Sequence, residues 1–266
     1  MPHILRDDAD DAVLAAIDGN WRASVRAFGR APSTILRDDD DLFWYITGLP
    51  SAAFNSVMYA NLTPDRIDVA VAELHALRER HGVPMGWLIG PSSRPTDLGR
   101  QLAARGLTHR NTLTPMTLLL ADLPTAAPVP GLTVARVADA ATYEAWVATE
   151  HRGFEEEGLP SDGLAAVRRA MRFGDGFPLH HYLGWLDGVP VATATLLPAA
   201  GIAGIYDVAT VPEARRQGVG TAMTLTVLQE AHQLGYEIAF LQPSTMGRPL
   251  YERIGFRQRC ACPVYR

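Results

Sequence analysis

The stretch from residue 201 to 223 constrains this chain most, because it joins a strand to a helix through an arginine- and glycine-rich junction. "GIAGIYDVATV" is an apolar run of strand type, and apolar residues recur at helical spacing from Val219 onward. Between them lies "VPEARRQGVG", with two adjacent arginines and with Gly218 and Gly220 one residue apart. A helix start leaves backbone N–H groups unpaired and carries partial positive charge. The junction therefore predicts an α/β arrangement with an anion site, best suited to phosphate, at the helix start.

Composition narrows the class of protein further. The chain has 266 residues, 47% of them hydrophobic, which is enough for one large domain or two ordinary ones. Its net charge of −5 provides no basic field for nucleic acid, and no apolar run is long enough to cross a bilayer. The acidic start lacks a signal-peptide pattern and the only cysteines are Cys260 and Cys262, so a cytoplasmic location is expected. All 24 basic residues are arginine, which excludes lysine chemistry and is typical of a GC-rich bacterial genome.

The chain divides nearly in half at "LPTAAPVPGLTV", residues 123–134, which has the proline content of a linker. We therefore predict domains at 1–125 and 126–266. In the second half, strand and helix patterns alternate, with a hairpin turn at Asp187-Gly188 and "FRQRCACPVYR" as a final strand. The first half repeats the same order more faintly, and both halves have a helix that ends in glycine and turns into a strand. This pattern indicates a diverged internal duplication.

Two motifs of the second half carry a family resemblance. "VATVPEARRQGVG" resembles the acetyl-coenzyme A signature of the GNAT acetyltransferase superfamily, Arg/Gln-x-x-Gly-x-Gly/Ala, and "LYERIGF" resembles the family's later tyrosine motif. The resemblance covers residues from about 131 to 266. It implies an α/β (α+β) fold of two GNAT-like domains, each a mixed, mostly antiparallel twisted sheet flanked by helices. A P-loop and a Gly-x-Gly-x-x-Gly fingerprint are both absent from the junction.

The resemblance also implies a co-substrate, acetyl-coenzyme A, and residues that hold it. Backbone groups of Val208, Ala209 and Thr210 would pair with its pantetheine arm and thioester. Ser244 stands where many family members have asparagine, and its hydroxyl can also bond the arm. The pyrophosphate would be wrapped by the junction residues Arg215, Arg216, Gln217, Gly218, Val219, Gly220 and Thr221.

Two side chains are candidates for catalysis. Tyr251 would protonate the departing thiolate, because a phenol with a pKa near 10 is a suitable donor; the alternative is a tyrosine that only packs the core. Asp207 would take the proton of the attacking amine, directly or through water; the alternative is a structural carboxylate that bonds a neighbouring loop.

Other polar groups have less specific interpretations. The run "GFEEEGLPSDG", residues 153–163, could attract a cationic amine, but such a run is more often a solvated loop. His180 and His181 are adjacent on a strand and point to opposite faces, so no metal site is expected. The aspartate runs "RDDADD" and "RDDDD" are interpreted as solvated segments.

The first half lacks the chemistry of the second. Its helix start at Thr63-Pro64-Asp65 has no Gly-x-Gly, and Asp65 and Asp68 place negative charge where phosphate needs positive charge. We therefore expect a structural or pocket-forming role for this half and one acetyl-coenzyme A per chain. Phe43, Trp44 and Trp87 would serve the interface between halves or the first half's own core.

The leading hypothesis is an acetyl-coenzyme A-dependent N-acetyltransferase, an acyltransferase acting on a small-molecule amine or a peptide N-terminus. An alternative is a non-catalytic acyl-coenzyme A sensor or interaction protein that kept the fold. A nucleotide-binding protein ranks last, because the P-loop lysine is absent. Neither nucleic acid nor membrane is expected as a partner, and monomer and homodimer both stay open.

Overall fold

Two mixed β-sheets form the framework of the computed structural model, which describes residues 4–6, 9–125, 127–155, 161–171, 173–174 and 176–266. The strands of the first sheet are β1 (Ile35–Asp38), β2 (Leu42–Ile46), β3 (Asn55–Ala60), β4 (Gly86–Leu88), β5 (His109–Leu113) and β13 (Cys262–Tyr265). Those of the second are β6 (Met116–Leu119), β7 (Leu132–Arg136), β8 (His180–Leu186), β9 (Val189–Ala199), β10 (Ile202–Thr210), β11 (Ile238–Leu241) and β12 (Arg257–Gln258). The helices are α1 (Asp10–Phe28), α2 (Pro64–His81), α3 (Leu98–Ala104), α4 (Ala140–Phe154), α5 (Ser161–Met171), α6 (Val219–Gln233) and α7 (Arg248–Ile254).

Most strand pairs are antiparallel. The strand order is β1-β2-β3-β4-β13-β5 in the first sheet and β12-β6-β11-β10-β9-β8-β7 in the second. Among the paired strands described, β3 with β4 and β10 with β11 run parallel. Each parallel pair is joined by a crossover helix, α2 or α6. The mixed, mostly antiparallel architecture predicted from the sequence is confirmed.

Each sheet takes one strand from the other half of the sequence. Strand β6 of the first half pairs with β11 and β12 of the second sheet. Strand β13, at the end of the chain, pairs with β4 and β5 of the first sheet. The prediction of one final strand over "FRQRCACPVYR" is therefore wrong, because β12 and β13 lie in different sheets. The two sheets also do not follow the sequence division at residue 125.

The two halves repeat one order of elements. In the first half it is β3, α2, β4, α3 and β5, and in the second it is β10, α6, β11, α7 and β12. In both halves the parallel pairing is short: Ser56 and Val57 register with β4, and residues 203–205 register with β11. Beyond those pairs the strands of each half diverge.

Helix α1 was not expected, because its acidic start was interpreted as solvated. Asp10 and Asp11 occupy its first turn, where negative charge complements the helix dipole. The helix buries Ile17 and Trp21 against the second sheet, and Trp21 packs edge-on against Phe240 at 5.6 Å. This packing binds the first half of the sequence to the second.

Asn20 reinforces that contact. It is fully buried, and its amide donates to the carbonyls of Leu197 (3.1 Å) and Ala199 (2.9 Å) at the end of β9. Its carbonyl accepts a bond from the Tyr206 hydroxyl at 2.7 Å. A buried amide with satisfied partners fixes the position of α1 on the sheet more specifically than apolar packing would.

The aromatic residues Phe43, Trp44 and Trp87 serve the first half's own core. Trp87 is fully buried there, and Trp44 packs against the same cluster while its indole donates to Glu73 at 2.7 Å. Phe43 is buried with Val25 of α1. The second aspartate run is ion-paired with arginines, since Asp38 accepts bonds from Arg22 and Arg26.

Candidate active site

A cleft opens where β10 and β11 separate. The two strands register at Ala203, Gly204 and Ile205, after which β11 ends and β10 continues to Thr210 with β9 as its partner on the other side. The cleft has a volume of about 750 Å³ and lies between β10, the start of α6 and α7. Its backbone edge on β10 is therefore open to a ligand, since no strand occupies that side.

Most of the predicted site residues line this cleft. The structure brings together Val208, Ala209, Thr210, Arg215, Arg216, Gly218, Gly220, Thr221, Ser244 and Tyr251. Three predicted residues do not line it. Val219 is buried in the core, Gln217 donates to the Glu213 carbonyl at 3.0 Å, and Asp207 is held by an ion pair described below.

The two glycines of the junction have different roles. Gly218 caps α6 with a φ of 84°, a left-handed conformation that side chains rarely adopt. Gly220 has ordinary helical geometry, but a Cβ there would lie 3.3 Å from Leu250 Cδ1 and 3.4 Å from Thr210 Oγ1. Gly218 therefore permits the turn, whereas Gly220 keeps the space beside the helix start clear.

Arg215 builds the wall of the cleft. Its guanidinium donates to the carbonyl of Thr210 at 3.0 Å and to that of Gly153 at 3.1 Å. These bonds join the junction to the end of β10 and to the last turn of α4. Both bonds satisfy carbonyl groups at the edge of the cleft. The backbone N–H groups at the start of α6 then give this end of the cleft its partial positive charge.

Tyr251 is both a core residue and a wall residue. It is 8% exposed, lines the cleft, and packs edge-on against Phe256 at 5.9 Å. A Cβ at Gly247 would lie 3.1 Å from its ring, so the absence of a side chain there lets the ring approach the loop before α7. Ser244 closes that loop, since its hydroxyl accepts a bond from the Gly247 N–H at 3.1 Å.

Asp207 belongs to a buried ion cluster that sequence reasoning missed. Arg168 of α5 donates to Asp207 and, at 2.8 Å, to Glu150 of α4. Arg168 and Glu150 expose 4% and 3% of their side chains. A charged residue on a predicted helix is normally assigned to the surface. The one sequence signal for burial of Arg168 and Glu150 is that each lies on the apolar face of its helix.

The charges of this cluster affect one another. Burial raises the pKa of Glu150 to about 7, although the guanidinium of Arg168 opposes the shift. Burial by itself would lower the pKa of Arg168, but Asp207 and Glu150 reverse that effect and raise it, so the guanidinium stays charged. Two carboxylates around one guanidinium leave the cluster with a net negative charge when both are ionised.

The remaining candidates do not form a site in the described part of the chain. Burial lowers the pKa of His180 to about 4 and that of His181 well below 6.5, so both are neutral, and His181 bonds the Thr195 hydroxyl at 2.9 Å. Among the described residues no group of three or more His, Cys, Asp or Glu side chains could hold a metal. Of the glutamate run, residues 156–160 lie outside the described residues.

The corresponding opening in the first half is closed by the chain itself. Arg94 forms a parallel bridge with Asn61, donates its N–H to the Ala60 carbonyl at 2.8 Å, and accepts from the Leu62 N–H at 3.1 Å. These bonds occupy the edge of β3 that corresponds to the open edge of β10.

Comparisons with known proteins agree with this geometry. The sequence model of the Acetyltransferase (GNAT) family matches residues 141–256. No curated protein sequence matches the chain significantly. None of the helices in the described ranges is both long and apolar enough to cross a membrane.

Solved structures share the whole arrangement. A GCN5-related N-acetyltransferase from Kribbella flavida is 21% identical, with a TM-score of 0.71 and 94% of each chain covered. A tandem GNAT protein from the clavulanic acid biosynthesis pathway is 14% identical, with a TM-score of 0.61, and the match covers 100% of this chain and 96% of that one. At these identities the likeness shows the fold, and the sequence match assigns residues 141–256 to the GNAT family. The chain therefore carries a GNAT-family acetyltransferase domain at residues 141–256, within a tandem GNAT-like fold.

Proposed function

We propose that the protein is an N-acetyltransferase that transfers the acetyl group of acetyl-coenzyme A to an amine by direct attack on the thioester. The observation that carries this proposal is the cleft at the separation of β10 and β11. It combines an open strand edge, a glycine-lined helix start and a tyrosine in one cavity. In this site acetyl-coenzyme A supplies the activated acyl group.

The cleft fits that group at both ends. Backbone N–H groups at the start of α6 suit a pyrophosphate, and Gly220 leaves the room that a side chain would take. The open backbone of Val208 to Thr210 suits the amide groups of a pantetheine arm, which would pair with β10 as a short strand. Arg216 and Thr221 flank the anion site, and Ser244 also lines the cleft.

Two groups would move protons during the transfer. Tyr251 donates its phenolic proton to the departing thiolate sulfur as the bond between sulfur and the acyl carbon breaks. Asp207 takes the proton released by the attacking nitrogen, directly or through a water. The carboxylate of Asp207 also pairs with the guanidinium of Arg168, which fixes its position beside the acyl end of the cleft.

The two parts of the chain have separate tasks in this proposal. Residues 126–266 form the acetyl-coenzyme A-binding catalytic domain, and residues 1–125 form a degenerate GNAT-like domain with a structural or pocket-forming role. The acceptor is a small-molecule amine or a peptide N-terminus.

The test is coenzyme A release, measured with a thiol reagent, from acetyl-coenzyme A and a panel of small amines, amino acids and peptides. We expect at least one amine class to accelerate release well above hydrolysis in buffer. Calorimetric binding of acetyl-coenzyme A without release for any amine would instead favour a non-catalytic acyl-coenzyme A sensor. Failure to bind acetyl-coenzyme A would refute both.

A further inference from the structure

The guanidinium of Arg168 lies at the centre of the buried cluster beneath the cleft. It donates to Glu150 through Nε at 3.2 Å and through a terminal nitrogen at 2.8 Å, and the same terminal nitrogen reaches Asp207. Arg168 therefore links helices α4 and α5 to strand β10 through one planar group.

Aromatic rings enclose that guanidinium. The Phe28 ring of α1 lies 4.9 Å from the guanidinium carbon, and the Trp146 ring of α4 lies 5.4 Å from it. Phe28 comes from the first half of the sequence, so this half completes the surroundings of Arg168. Because a buried charge is costly without its partners, the side chain has essentially one favourable position.

Arg168 acts on a strained point of β10. Asp207 has a φ of 52°, and Asp207 and Val208 together oppose one residue of β9, which makes a bulge. A non-glycine residue in this conformation is uncommon and must be held by its surroundings. The backbone carbonyl of Asp207 accepts a bond from the Thr193 hydroxyl at 2.8 Å, and Arg168 holds its carboxylate.

The bulge determines how the next residues meet the cleft. Val208 is part of the bulge, Ala209 and Thr210 follow it directly, and all three line the cleft together with Tyr251. If residue 207 returned to an ordinary strand conformation, the residues after it would rotate relative to β9 and would present different backbone groups to the ligand.

We propose that Arg168 is a positioning residue for acyl transfer: by holding the Asp207 carboxylate it fixes the bulge that aims the backbone of Val208 at the thioester. This role rests on the proposed function. It acts at the acyl end of the cleft and not at the pyrophosphate end, which Gly218 and Gly220 form. The expected effect therefore falls on turnover more than on acetyl-coenzyme A affinity.

Arg168→Gln tests this, and the next residue provides a matched control. Arg169 lies on the same helix but forms an exposed pair with Glu144. We expect Arg168→Gln to lower kcat about 10- to 100-fold. Acetyl-coenzyme A affinity by calorimetry should stay within about threefold, and Arg169→Gln should stay within about twofold on both measures. Arg168→Lys should recover part of kcat, because it keeps a charge near Asp207 but not the fork that joins Glu150.

The readouts separate positioning from loss of fold. Kcat is expressed per acetyl-coenzyme A-binding site from the calorimetric stoichiometry, so a partly unfolded preparation does not count. Should Arg168→Gln fail to fold, Glu150→Gln is compared with Glu144→Gln, and the first alone should lower kcat. Unchanged kcat per site in a folded Arg168→Gln, or an equal loss in Arg169→Gln, would overturn this role while leaving the proposed function intact. A wild-type protein that releases no coenzyme A with any amine would overturn the proposed function and this role together.

Discussion

Gly220→Asp is the sharpest test of where the pyrophosphate binds. Gly220 is the second residue of α6, and its missing side chain faces Thr210 Oγ1 and Leu250 Cδ1 across the start of the helix. An aspartate there would put a carboxylate into the space assigned to the pyrophosphate. Two unit charges about 4 Å apart at an effective dielectric constant of about 20 repel by about 4 kcal/mol. The dissociation constant for acetyl-coenzyme A should therefore rise about 10³-fold.

The folded state should tolerate the same substitution. Gly220 has no positive φ, and an acidic residue in the first turn of a helix stabilises it by about 0.3–1 kcal/mol. Gly220→Ala removes the charge effect and keeps part of the bulk, so it should weaken binding less. Gly218→Ala, by contrast, strains a residue with a φ of 84° and should cost about 1 kcal/mol of unfolding free energy.

The assay is isothermal titration of acetyl-coenzyme A into the three variants and the wild type, with thermal unfolding of each as the control for fold. Loss of binding in Gly220→Asp at an unchanged melting temperature supports the assignment. Affinity within threefold of the wild type would refute the reasoning, because a carboxylate at that point could not then be near a bound pyrophosphate.

Three further outcomes are expected. Tyr251→Phe should lower kcat by about 10²–10⁴-fold with nearly unchanged acetyl-coenzyme A affinity. Tyr236 is a buried tyrosine in the same core, and Tyr236→Phe should leave kcat unchanged. If kcat of Tyr251→Phe falls less than threefold, Tyr251 only packs the core. The pKa of Glu150 is raised to about 7 from 4.5, so its contribution to stability is complete below pH 4.5 and disappears as the pH rises through 7. In denaturant titrations the free energy of unfolding of the wild type should therefore fall as the pH rises through 7. Glu150→Gln should lose about 3 kcal/mol less than the wild type over this range, whereas Glu144→Gln should behave like the wild type. A fragment of residues 126–266 lacks β6, which lies between β11 and β12, and should aggregate on size-exclusion chromatography and release no coenzyme A.

The sequence predicted those parts of the fold whose local chemistry is unambiguous. The residues of the turn at Asp187-Gly188 have φ values of 49° and 82°, as the hairpin signal predicts. Gly255 ends α7 with a φ of 115°, as the helix-cap signal predicts. Helix α6 begins at the predicted junction. Because these features depend on residues close together in the chain, periodicity and capping were sufficient to find them.

Features that depend on distant partners were missed. Helix α1 is stabilised by contacts across the chain, such as those of Asn20 with β9, and its acidic first turn looked solvated. Strands of two to four residues carry no pattern that tells which sheet they join, so the exchange of β6 and β13 was not predictable. The ion pair of Arg168 with Asp207 joins residues 39 positions apart and has no local signature.

The duplicated fold provides two potential openings, but the chain keeps only one of them free. In the second half the edge of β10 faces the cleft, whereas in the first half the hydrogen bonds of Arg94 with Ala60 and Leu62, which bridge it to Asn61, occupy the corresponding edge. Helix α2, the counterpart of α6 in the first half, also begins at Pro64 with Asp65 in its first turn. The negative charge of Asp65 repels an anion. A ligand there would have to displace these two backbone hydrogen bonds and approach negative charge, and each of these costs free energy. We therefore expect a calorimetric stoichiometry of one acetyl-coenzyme A per chain, reduced to none in Gly220→Asp. Two sites of similar affinity, or binding that survives in Gly220→Asp, would show that the first half opens to admit the ligand.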